Sequence, residues 1–81
     1  MLNASMLNHP QVGVNIFLAM REAVNFSFMR GGLASAYVAN SKGECYIRIT
    51  YTHKAVNAFV FWDKQGNNVT QLILNFLKNE G

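Results

Sequence analysis

A single cysteine, Cys45, in 81 residues excludes an internal disulfide and any zinc site that needs two thiolates. It points to a reducing compartment, hence the cytoplasm. Charge is scarce as well: 14% of residues are charged, against a typical share of about 25%. No like charges run together, which excludes a polybasic tail. Arg21, Arg30, Lys42, Arg48, Lys54, Lys64 and Lys78 are scattered along the chain. No basic residue precedes Arg21, so the charged start of a signal peptide is missing. No apolar run approaches the roughly 20 residues that span a bilayer. The phosphate-binding P-loop, Gly-x-Gly-x-x-Gly, His-Glu-x-x-His and calcium-loop patterns are all absent. Neither a cofactor nor a metal is implied.

What is present is apolar. Hydrophobic residues make up 51% of the chain, a high share for one small domain with much surface to keep wet. A chain this short buries only about 60% of its unfolded surface. Association with a second copy or another protein would relieve the imbalance. The net charge of +3 and the pI near 9.4 are mildly basic. Nucleic-acid domains share such values but cluster their cations on one face.

Residues 1–8 read as a short leader, in which Met1-Leu2-Asn3 recurs as Met6-Leu7-Asn8. Residues 9–81 read as a single α+β domain. Pro10 marks a helix start. Ile16, Phe17, Met20, Val24 and Phe28 recur near helical spacing, and Arg30-Gly31-Gly32 is a stop. Ala34 to Asn40 is a short strand and 41–44 a turn. The stretch from Cys45 to Thr52 is the strongest strand and Ala58 to Trp62 the third, rich in β-branched and aromatic residues. Asp63 to Asn67 is the last turn. Asn68 with Gln71 resembles a capping box. Val69, Leu72, Ile73, Phe76 and Leu77 then follow an amphipathic helix. The expected fold is αβββα: a three-stranded antiparallel meander with two helices packed on one face. The expected core includes Ile16, Met20, Val24, Leu72, Ile73 and Phe76. Double-stranded RNA-binding domains share this element order. Their second helix opens with a lysine cluster that grips phosphates, whereas Asn67 to Gln71 contains none, so the likeness is one of topology.

Successive strand residues point to opposite faces. Between Cys45 and Trp62 large side chains therefore fall on both sides of the sheet, more than two short helices can cover. Tyr37, Tyr46, Arg48 and whichever of Phe61 and Trp62 faces outward are the expected partner-binding residues, of types favoured at interface hot spots. A nucleic-acid alternative uses Arg48 between aromatic side chains as a stacking surface, with Lys42 and Lys64 near the second helix start as phosphate contacts. Cys45, His9 and His53 supply the parts of a thiol–imidazole pair, but Cys45 shares the parity of Ile47 and Ile49, which marks a structural thiol. Glu22, Glu44, Asp63 and Glu80 fall on unrelated elements, which does not suggest paired carboxylates. Met20, Met29, Phe17, Phe26 and Phe28 read as core rather than as a ligand pocket. The expectation is a non-enzymatic protein-binding module without a membrane segment, either a homodimer or an inhibitor or regulator of a larger protein. Small phage and mobile-element proteins have this profile of size and plainness.

Overall fold

A computed structural model describes residues 10–39, 45–56 and 59–80. The order is α1 (Pro10–Arg30), β1 (Ala34–Ala39), β2 (Cys45–Tyr51), β3 (Val60–Asp63) and α2 (Thr70–Glu80). The strands form an antiparallel sheet in the order β1-β2-β3, giving the expected α+β meander between two helices. No helix among the described residues is long and apolar enough to cross a membrane. The expected leader and Lys42 lie outside the described residues, as do the side chains of Cys45 and Tyr46.

Alternation sets the sheet. Ala34, Ala36, Val38, Ile47, Ile49, Phe61 and Asp63 are buried, while Tyr37 and Arg48 point away from the core. Ala36 faces Ile49 and Ile49 faces Phe61 across the strands, so one side of the sheet becomes continuous core. Val12, Ile16, Ala19 and Ala23 of α1 and Ile73 of α2 close onto that same side. Met20, Phe76 and Leu77 pack at its margin. Tyr51, Phe59 and Phe61 form an aromatic chain there, with ring centroids 4.5 and 6.3 Å apart. β3 runs Val60–Asp63, ending one residue later than expected, and Ala58, its expected start, lies outside the described residues.

The helix α1 is rotated from the expected face. Val12, Ile16, Ala19, Ala23 and Ser27 are buried, whereas Phe17 and Phe28 are exposed and Val24 only half-buried. The physical reason is closeness. Ala19 and Ala23 of the helix share one buried cluster with Ala36 of the sheet, and short side chains at such a contact let two backbones approach. Phe17, Leu18, Phe26, Phe28 and Met29 of the same helix are turned outward. In α2, Ile73 is fully buried but Leu72 is partly exposed, so Leu72 is not core.

The helix ends are explained locally. Gly31 takes φ +81°, and the N–H groups of Gly31 and Gly32 both donate to the Ser27 carbonyl, at 2.8 and 3.1 Å. Before α2, Asn68 Oδ1 accepts from the Thr70 N–H at 3.0 Å. The Ile73 N–H bonds the Val69 carbonyl, so the cap falls at Val69, one residue past Asn68. The Asn68–Gln71 spacing is therefore out of phase for a capping box, and the Gln71 amide donates to Asn75 one turn on. Thr70 Oγ1 instead accepts the Phe61 N–H at 3.0 Å, which ties the start of α2 to β3.

Candidate interaction surfaces

The outer side of the sheet is built by the other parity. Tyr37 pairs with Arg48 and Arg48 with Trp62, so the three side chains form one row across all three strands. The Arg48 guanidinium carbon lies 5.5 Å from the Trp62 ring centroid, within cation–π range. The indole is fixed from its other end, where Nε1–H donates to Thr50 Oγ1 at 3.2 Å. Tyr37 is 59% exposed and Arg48 is exposed. No described helix lies over this row.

A shallow hollow of about 340 Å³ opens beside the row, and the 63–67 turn forms its wall. That turn is rigidly made. The Asp63 carboxylate accepts the Asn67 N–H at 2.8 Å and the Asn67 amide at 3.1 Å. Gly66 takes φ +88°, a conformation L side chains rarely adopt. Burial pushes the Asp63 carboxyl up, but the bonds from Asn67 and from the Gln65 and Gly66 N–H groups outweigh it and hold the carboxyl below its ordinary 3.8. Lys64 stands on the same wall.

Of the expected partner-binding residues, the structure brings Tyr37, Arg48 and Trp62 together, and Lys64, expected as a phosphate contact in the nucleic-acid alternative, borders the same hollow. Phe61 is removed from the set: it is fully buried, opposite Ile49 on the core side, and offers a partner nothing. Tyr46 lies in β2, and Lys42 falls outside the described residues. Cys45 begins β2 and His53 follows its far end, so the strand separates the two residues.

One pairing escaped the sequence. Ser27 Oγ lies 2.8 Å from His53 Nδ1 and accepts the His53 backbone N–H at 3.0 Å. Its own proton goes to the Gly32 carbonyl. That assignment makes Nδ1 a donor to Oγ, so no basic nitrogen faces the hydroxyl to activate it. The His53 ring stacks on Phe28, centroids 4.3 Å apart and 19° from parallel. Ser27 is fully buried. The group is a latch between the end of α1 and the β2–β3 connection. The only sequence signal was a serine at the spacing of the buried stripe, and nothing in it pointed 26 residues ahead.

No family model, curated protein or solved structure matches this chain.

Proposed function

We propose that the chain is a non-enzymatic protein-binding module that docks a partner protein on its open sheet face. The observation that carries this is the Tyr37–Arg48–Trp62 row, in register across the sheet and covered by no described helix. Tyrosine, arginine and tryptophan are the residue types that dominate interface energetics, because they combine large contact area with a polar handle. Arg48 and Lys64 border the hollow, while the Asp63 carboxylate is engaged by Asn67. The complementary partner therefore presents an acidic side chain among apolar ones.

The same row gives the nucleic-acid reading its strongest support, since aromatic side chains flanking an arginine stack bases. Among the described residues, Arg48 and Lys64 are the cations at this hollow, and two such contacts release few counterions, so the protein reading is preferred. Capture from native lysate with wild-type and Arg48→Glu baits, with and without nuclease, separates the readings. The proposal expects protein capture that survives nuclease and is lost with Arg48→Glu. Capture abolished by nuclease would move the function to nucleic acid, and equal capture by both baits would remove the row from it.

A further inference from the structure

β1 is an edge strand. Among the described residues it pairs only with β2, and its other side has no strand beside it. Its sequence, Ala34-Ser35-Ala36-Tyr37-Val38-Ala39, carries neither charge nor proline. Those are common devices by which soluble proteins keep an edge from pairing. The register shift at Val38/Ala39 lies at its last step, so pairing from Ala34 to Val38 is regular.

Exposed apolar side chains flank this edge on both sides, with Asn15 and Glu22 among the groups on the helix side. On the helix side a hollow of about 210 Å³, bordered by Leu18, Glu22 and Tyr37, runs between α1 and β1. Helical spacing continues the ridge of Leu18 and Glu22 to Phe26 and Met29. On the open side, Leu33 and Tyr37 flank the strand. Leu18 is 49% exposed, Leu33 67% and Met29 80%. Together these side chains expose on the order of 500 Å², and the strand's own edge brings the patch toward the roughly 800 Å² per partner of a standard interface.

We propose that β1 pairs with β1 of a second copy, antiparallel about a two-fold axis, joining the two sheets into one. A strand without charges brings no like charges against its own copy, and an antiparallel pair of identical strands is self-complementary by symmetry. The α1 ridges of the two copies then close beneath the seam. Arg48 and Trp62 stay outside it, and Tyr37 is the one residue this seam shares with the row proposed for the open face.

The test is sedimentation equilibrium of the full chain across micromolar concentrations, with amide hydrogen exchange of β1 as a second readout. Wild type is expected at twice the 9.1 kDa monomer mass. Its outward-facing β1 amides, which β2 does not hold, should exchange slowly and lose that protection on dilution. A Leu18→Glu, Leu33→Glu variant, altered at two exposed positions, should run as a monomer with an unchanged circular dichroism spectrum, its outward-facing β1 amides unprotected while those bonded to β2 stay protected. Arg48→Glu should remain dimeric. A wild-type monomer at every concentration overturns the proposal, as does a variant that still dimerises. A dimer whose outward-facing β1 amides exchange as fast as those of the monomeric variant also overturns it, because its interface then lies elsewhere.

Discussion

Replacing Ser27 with alanine should cost this domain a large part of its stability. The hydroxyl is fully buried and makes three bonds: it donates to the Gly32 carbonyl and accepts from the backbone N–H and Nδ1 of His53. Each such bond contributes about 0.5–1.5 kcal/mol net, and more when a buried partner is left unsatisfied. Gly32 and His53 are only half-buried, so water can replace part of what is lost. The expected cost is about 2–4 kcal/mol, against a total of about 4–12 kcal/mol for a domain of this length. Urea unfolding followed by far-UV circular dichroism reads it directly. With a slope of about 1 kcal/mol/M, the midpoint should fall by about 2 M or more while the slope stays constant. A cycle with His53→Ala should return a coupling of about 0.5–3 kcal/mol, because the two side chains share one network. A Ser27→Ala protein within about 0.5 kcal/mol of wild type would refute the latch.

Ile73→Ala should cost about 2–5 kcal/mol by emptying a fully buried site, whereas Leu72→Ala should cost under about 1 kcal/mol; thermal melts compare the two. Gly31→Ala should cost about 1–2 kcal/mol from the strain of φ +81° alone, because nothing lies near the added methyl group, and Gly32→Ala, with equal space and no positive φ, should be near neutral. The lowered Asp63 pKa means that its carboxylate stabilises the fold above pH 3.8 and that this contribution is lost as pH falls through the folded value. Denaturation midpoints measured down to acid pH should therefore drop less steeply for Asp63→Asn than for wild type, and identical slopes would refute the assignment.

The strands were legible because a two-residue period is hard to disguise: Ile47 and Ile49 with Arg48 between them leave one arrangement that hides the isoleucines. The third strand was legible in place but not in phase, since Phe59 and Phe61 oppose Val60 and Trp62 with similar bulk. Pairing with Ile49 settles it, and pairing is not written in the strand itself. The face of α1 was illegible for a related reason. The helix is apolar on nearly every side, so hydrophobicity offers two stripes, one of large residues through Phe17 and Phe28 and one of small residues through Ala19, Ala23 and Ser27. Ile16 is buried and Met20 packs at the core margin as expected, but Phe17 and Phe28 are exposed, because the helix shares its buried cluster with Ala36, whose short side chain admits a close helix. The row of Tyr37, Arg48 and Trp62 was readable as a set of residue types. Its alignment needed the register of two strand pairs.

The small stripe has a consequence for stability. Fully burying a large aliphatic or aromatic side chain is worth about 1.5–3 kcal/mol. By packing Ala19, Ala23 and Ser27 inward, the fold leaves Leu18, Phe26 and Met29 in water and forgoes part of that stabilisation as a monomer. A second copy closing over β1 would recover it. Anything that binds only the folded state raises apparent stability by mass action, and a self-associating chain is its own ligand. The melting temperature should therefore climb by a few degrees for each tenfold rise in protein concentration. Calorimetry at several concentrations checks this, and the Leu18→Glu, Leu33→Glu variant should show no such climb. A wild-type melting temperature that does not move with concentration would mean that the outward side chains of α1 stay in water, and that the alanine stripe lowers stability with no interface to restore it.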